Sequence, residues 1–392
     1  MNKVTVLEVM MVAMVVTVAT ALFYTPYLAA LAAAQDAWVS VILAGILSII
    51  PAWATGSLMD RFPNQSITEM LIRLLGKPLG KILGFAYVAI FLFYAALAVW
   101  RLEVFVARFL LPDTPVLAIR VLFMLVVGYA AIKGGASLTR TSSYIVPAGF
   151  VVMILSFILP LKRMEFSYLF PLFEQGVVSM IKAAIMLAGW LCQIPLIVMQ
   201  YHRYVQKKSL KGTGPRAVVV VILSALAIEL GILGTLAAFG PRQTASMYYP
   251  VMELARIASL GNFLEHMEVT LVTEWIAGIF VVATLYTQAF ATGLTDVLNV
   301  QGKAGKTIIM AMGILVLLCW PIVLNPSFLT LIVAIRDYGV ISALIMGGIL
   351  PLLLWARAAM MPELWKEAQA MHAQEQGTTE IGSQRPGARK DG

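Results

Sequence analysis

Apolar residues run along this chain in long, nearly unbroken stretches, and polar residues gather in the short gaps between them. Ten stretches stand out, at roughly 5–32, 38–59, 82–110, 115–132, 144–161, 179–200, 217–239, 269–298, 307–324 and 337–358. Most reach the ~20 residues that a helix needs to cross the hydrocarbon core of a bilayer. The pattern is continuous rather than alternating, so it predicts an all-α integral membrane protein and excludes a strand barrel. Two stretches carry interruptions. The first holds Thr17, Ala19-Thr20-Ala21 and Pro26, and the sixth holds Gly189-Trp190-Leu191-Cys192-Gln193-Ile194-Pro195. Lipid offers no water to a broken backbone, so a break is tolerated only inside protein or beside a wet cavity.

Each break falls in the first span of a set of five. An odd number of spans per half turns the second half upside down, which predicts ten transmembrane helices as a 5+5 inverted repeat with broken helices 1 and 6 facing each other. The expected division is residues 1–161 for the first repeat, 162–178 for an outer connector, and 179–360 for the second repeat. The connector carries Phe170-Pro171-Leu172-Phe173 and Gly176, and the second repeat includes an outer helical loop at 240–268. In that loop Val251, Leu254, Ala255 and Ala258 recur at helical spacing, followed by a Gly261-Asn262 turn. Residues 361–392 lose all apolar periodicity and read as a disordered cytoplasmic tail.

Composition agrees with this picture. The 392 residues are 60% hydrophobic and 12% charged, which excludes an ordinary soluble domain. Basic residues cluster after spans 2, 4, 6 and 8: Arg61, Arg73, Lys77 and Lys81; Lys133 and Arg140; Arg203, Lys207, Lys208, Lys211 and Arg216; Lys303 and Lys306. The alternate gaps are poorer, so both termini are expected in the cytoplasm, as an even number of spans requires. Residues 1–32 lack the layout of a cleavable signal, and the first span is expected to stay as an anchor. The net charge of +8 fits a basic inner membrane surface and needs no nucleic-acid partner.

Enzyme chemistry finds no footing in the sequence. His202, His266 and His372 are far apart and give no metal spacing, and no cofactor motif appears. Gly302-Lys303-Ala304-Gly305-Lys306-Thr307 lacks the first glycine and the preceding strand of a phosphate loop. Cys192 and Cys319 both lie in spans and imply no disulfide framework.

The candidate site is therefore a small-solute pocket at mid-membrane. Thr17, Ala19 and Thr20 would form one wall, and Gly189, Trp190 and Gln193 the facing one. Half-helix ends offer positive dipole to a carboxylate and negative dipole to an amine, an arrangement that suits an amino acid. A plain proline kink, with the threonines bonded back to their own helix, is the competing reading. In span 3, Tyr87, Phe91, Tyr94, Ala98 and Arg101 share one face, with Tyr94 and Arg101 assigned to the cavity. Glu103 and Glu229 are candidates for gating or proton transfer, each with a structural alternative. Thr284, Tyr286 and Thr287 place polar groups in mid-span 8 as a third wall.

One segment is more distinctive. Tyr249-Pro250-Val251-Met252-Glu253-Leu254-Ala255-Arg256, with Leu260-Gly261-Asn262-Phe263-Leu264-Glu265-His266-Met267-Glu268, resembles the outer-loop signature of endospore germination permeases. These are the B subunits of Ger-type nutrient germinant receptors, within the amino acid–polyamine–organocation superfamily. Arg101 with Leu111-Pro112-Asp113-Thr114-Pro115, Ala37-Trp38, and Phe170-Pro171 through Gly176 add to the likeness. The resemblance implies the broken-helix transporter fold of that superfamily and a non-enzymatic subunit in the spore inner membrane. It also implies a nutrient germinant, often an amino acid, with a membrane A subunit and a lipoprotein C subunit as partners. Where that family tends to carry glycine in the first break, this chain has Ala19-Thr20-Ala21. Two other functions are compatible with the residues: a proton-coupled amino acid transporter working through Glu229, and a structural or conduit subunit with a vestigial pocket.

Overall fold

The structure is a computed structural model that describes residues 4–206, 212–258, 267–324 and 327–361. The polar tail past Met361, Lys207, Lys208 and Lys211, and the Gly261-Asn262 turn with His266 lie outside the described residues. Among those described, the chain is helical, and the only bridge of strand type joins Val4 to Val205.

The first span is two helices, α1 (Val6–Ala21) and α2 (Thr25–Ala33), and α3 (Ala37–Arg61) is the second. Between α2 and α3 the chain turns at Ala34, whose φ of 47° lies in the left-handed region. A short helix, α4 (Ile67–Leu75), lies between spans 2 and 3, capped by Ser66 and Glu69, with Ile67, Met70, Leu71 and Leu74 buried. Spans 3 to 5 are α5 (Lys77–Phe105), α6 (Val116–Lys133) and α7 (Gly135–Ile158). The sixth span is again two helices, α8 (Val177–Leu191) and α9 (Gln193–Tyr201). Then come α10 (Thr213–Thr244), the short α11 (Pro250–Ile257), α12 (Met267–Leu298), α13 (Lys303–Leu324) and α14 (Phe328–Ala359). Among the described residues nine helical stretches are long and apolar enough to cross a membrane, with α2 and α3 taken as one, and α1 precedes them.

Packing follows a two-fold pattern. Spans 2 and 7 (α3, α10) pack along their length, as do spans 3 and 8 (α5, α12), and span 1 packs on span 6. Span 1 against span 7 is matched by span 6 against span 2. Span 5 against span 8 is matched by span 10 against span 3, and span 1 against span 5 by span 6 against span 10. These pairings recur when each span is exchanged for the one five later, the pattern that an inverted repeat of five spans predicts.

Two spans begin nine residues earlier than hydropathy predicts. In α7 the polar first turns are satisfied locally: the Thr139, Thr141 and Ser142 hydroxyls donate to carbonyls of their own helix, and Arg140 pairs with Glu8 at 3.8 Å. In α14 the adjacent Arg336 and Asp337 pair with each other. Polar residues that answer one another lower hydropathy without ending a helix.

Candidate functional site

The first break is a local skip in the ladder, made without glycine. Pro26 has no N–H, so the Leu22 carbonyl has no donor four residues on. Tyr24 N–H turns to Ala21 O at 2.9 Å, three residues back. Leu22 (φ −51°, ψ −43°) and Tyr24 (φ −112°, ψ −31°) both stay in the right-handed region. Alanine adopts such angles freely, so Ala19-Thr20-Ala21 is no obstacle to a break here.

Two carbonyls freed at the break are taken by indoles. Trp190 Nε1 donates to Thr20 O at 3.2 Å, and Trp275 Nε1 to Ala19 O at 3.0 Å. The second break lies at Cys192 (φ −70°, ψ −6°), and Pro195 withholds the donor that Leu191 O would use. It is pressed against α14. A Cβ at Gly347 would come within 1.9 Å of Cys192 O, and one at Gly189 within 2.7 Å of Val340 Cγ1. Only glycine permits those approaches.

The breaks are joined by a chain of polar contacts. Gln193 Nε2 donates to Thr20 Oγ1 at 3.2 Å, and the Tyr286 hydroxyl donates to Gln193 Oε1 at 3.0 Å. Tyr286 stacks on Tyr94 with ring centroids 5.1 Å apart. The Tyr94 hydroxyl donates to Gly339 O at 2.8 Å and lies 3.0 Å from Ser342 Oγ. Gly339 ends a stretch of wide, π-type turns, Ala334–Gly339, and a second such stretch spans Leu344–Ile349. Wide turns loosen the ladder and leave carbonyls for side chains of α5, since Tyr87 likewise donates to Met346 O at 2.7 Å.

Between these elements lies a narrow cavity of about 10 Å³, lined by Tyr94, Arg101, Gly189, Trp190, Gln193, Ile335, Gly339 and Val340. That is room for about one water molecule, so a nutrient-sized solute would need these walls to part. Arg101 is its charged wall. The residue is 3% exposed, its Nε has no hydrogen-bond partner, and its guanidinium lies 5.6 Å from the Tyr24 ring. No carboxylate among the described residues pairs with it. A guanidinium inside a membrane protein ordinarily faces a counter-ion, a carbonyl cluster or water.

Both ends of the cavity are shut. Toward the α11 end, Phe23 stacks on Trp275 at 4.7 Å, and Tyr249 contacts Phe23, Tyr24, Phe105 and Phe109. Toward the α4 end, Val4 bridges to Val205, Arg203 pairs with Asp296, and Glu8 with Arg140.

The structure gathers Thr20, Tyr94, Arg101, Gly189, Trp190, Gln193 and Tyr286 at or directly behind this cavity. It places the other candidates elsewhere. The hydroxyls of Thr17, Thr284 and Thr287 donate to their own helices at 2.9, 2.7 and 2.7 Å. Ala19 lines a separate, largely apolar cavity of about 70 Å³ among α1, α7, α10 and α12, with Glu274 and Trp275 on its wall. Glu103 accepts from Arg120 Nε at 2.6 Å and Nη2 at 3.0 Å, tying α5 to α6. Glu229 faces a groove between α3 and α10 on the outside of the bundle. The α14 wall was missed by sequence reasoning, although Tyr338-Gly339 and Gly347-Gly348 were visible as small or polar positions in that span.

Comparisons with known proteins bear on the family and the fold. A family model described as "Spore germination protein" matches residues 3–327. "Spore germination protein XB" of Bacillus anthracis is 25% identical over 298 residues, covering 74% of this chain and 78% of its own length. "Spore germination protein KB" of Bacillus subtilis (strain 168) is 22% identical over 289 residues, covering 73% and 77%. Among solved structures, Mhp1, a nucleobase-cation-symport-1 family transporter in a closed conformation with bromovinylhydantoin bound, superposes with a TM-score of 0.62. That match covers 94% of this chain and 97% of the transporter at 11% identity, which establishes a shared fold.

Proposed function

The chain belongs to the spore germination protein family, and from that premise we propose that it senses a carboxylate-bearing nutrient, an amino acid, as the B-type subunit of a germinant receptor. Family and fold together give a germinant-sensing or transport role. The observation that carries the finer reading is Arg101. A buried guanidinium with no carboxylate partner among the described residues lines the cavity between the two helix breaks. A ligand carboxylate there would receive charge-assisted hydrogen bonds and offset the cost of the buried charge. Tyr94, Trp190 and Gln193 complete the wall and would read the rest of the solute.

Ligand entry would separate the aromatic seal from the α11 end, and ligand binding would favour one arrangement of the broken helices. Only a difference in affinity between two states gives such a signal. The same reading puts the protein in the spore inner membrane with both termini in the cytoplasm. A membrane A subunit and a lipoprotein C subunit would receive the signal.

The test is thermal unfolding of the purified protein with a panel of amino acids. At about 100 times Kd a ligand stabilises the native state by ~2.7 kcal/mol. At least one amino acid should raise Tm, its decarboxylated amine should not, and Arg101→Gln should abolish the rise. Equal stabilisation by the amine, or a rise that survives Arg101→Gln, would remove the carboxylate assignment. The fold shared with a symporter also favours net transport as a second reading. Accumulation of the same amino acid in liposomes under a pH gradient would separate transport from sensing alone.

A further inference from the structure

Glu229 is the sixteenth residue beyond Thr213 in α10, roughly 24 Å along a helix of 1.5 Å rise, and so far from both ends of the span. It does not face the central cavity. Its side chain lines a groove whose other walls are Val41, Ile42, Gly45, Ile46 and Ile49 of α3 and Ile222, Ala225 and Leu226 of α10. The α10 residues recur every three or four positions, as do those of α3, so each helix gives the groove one continuous face. The two helices approach closely at its floor, where a Cβ on Gly45 would lie 3.4 Å from Ala225 Cβ. The rims face outward: Ile42, Ile46, Ile222 and Leu226 are 49%, 57%, 45% and 52% exposed.

Within this apolar groove the Glu229 carboxyl is unanswered. Its Oε2 is buried without a hydrogen-bond partner, and no donor among the described residues reaches either oxygen. A glutamate side chain is too short to reach the membrane surface from this depth. An acid in such a place normally pairs with a basic group or faces water, because an unsatisfied polar group in hydrocarbon costs several kcal/mol.

We infer that the α3–α10 groove is the docking site for a transmembrane helix of another subunit, which presents a lysine or arginine at mid-membrane to Glu229. Charge complementarity selects this occupant, since a lone basic residue on a membrane helix has the reciprocal need. A second copy of this chain fits poorly. Among the described residues, the mid-span basic side chains Arg101 and Arg120 are buried. Exposed Lys182 is the sixth residue of α8, and Arg336 is the ninth of α14 and already paired with Asp337. The small residues at the floor let a helix sit deep, and the isoleucine and leucine rims would pack along its sides.

The test uses the full chain expressed in a spore-forming host that supplies its own membrane partners. A photoreactive benzophenone amino acid is placed at Ile46 or Leu226, with Leu122 on α6, 66% exposed, as control. The expected result is one discrete protein adduct from Ile46 and Leu226, and none from Leu122. Its cross-linked peptide should be a transmembrane helix with a lysine or arginine within about two turns. Glu229→Leu should reduce that adduct at least tenfold at equal protein level and equal Tm of the purified chain. Glu229→Lys combined with an acidic replacement of the partner's basic residue should restore it. Adducts to lipid alone, to a second copy of this chain, or to a helix without a basic residue would overturn the proposal, as would an adduct that persists undiminished in Glu229→Leu.

Discussion

Arg101 and Glu103 stand two residues apart on α5, so the helix turns them about 200° from each other. Glu103 looks toward α6 and α13. There Arg120 meets it with two hydrogen bonds and also donates to Leu318 O at 3.3 Å. Arg101 looks inward, toward the broken helices and three tyrosine rings, and meets no carboxylate among the described residues. Both charges are almost fully buried in one turn of one helix. The difference is whether the chain itself supplies the partner. A charge answered within the fold is architecture, whereas one left unanswered beside a cavity is a request addressed to something else.

The sharpest way to break this comparison is to remove each charge in turn. Glu103→Ala leaves Arg120 buried and unpaired, a change that costs about 3–5 kcal/mol. The purified protein should lose Tm strongly, and most of the loss should return in the double variant Glu103→Leu/Arg120→Leu. Arg101→Met removes a charge that has no partner to strand. It should leave Tm of the ligand-free protein unchanged or slightly raised, while abolishing stabilisation by amino acids. Equal destabilisation by the two variants would mean that Arg101 is also architecture.

This contrast was only partly legible in the sequence. Long apolar runs and their two interruptions gave the membrane fold, because span length and backbone satisfaction act locally. Tyr94 and Arg101 could be placed together from helical spacing alone. Which way Glu103 pointed could not, because its partner Arg120 lies on the next span, seventeen residues away. The threonines show the same limit. Thr17, Thr284 and Thr287 look like pocket groups in a hydropathy plot, yet each spends its hydroxyl on a carbonyl four residues back. The α14 wall stayed hidden because π-type turns have no simple sequence mark. Glu229 was visible as a deep acid, but only packing shows that it faces outward.

A second, smaller effect probes the inward side of the comparison. Gly347 lies against Cys192 at the second break, where a side chain would meet the carbonyl directly. Gly347→Val should push α14 away from α9 and cost on the order of 1–3 kcal/mol through overpacking. Because α14 forms one wall of the cavity, amino acid affinity should fall with stability. Retained affinity in a destabilised Gly347→Val protein would show that the cavity does not depend on that contact.

The smallest effect separates the two indoles that hold the first break. Trp190 and Trp275 make the same kind of bond, to adjacent carbonyls, but only Trp190 lines the central cavity. Replacing either by phenylalanine removes one donor and keeps an aromatic ring, at a net cost of about 1 kcal/mol. Trp275→Phe keeps a ring to stack on Phe23 and so should lower Tm slightly without changing affinity. Trp190→Phe should lower Tm by a similar amount and, on the proposed reading, weaken amino acid binding as well, because it alters a wall that the proposed ligand would touch. If both variants weakened binding equally, the first break would matter as a single flexible unit, and the distinction between a wall of the site and its scaffold would not hold at this position.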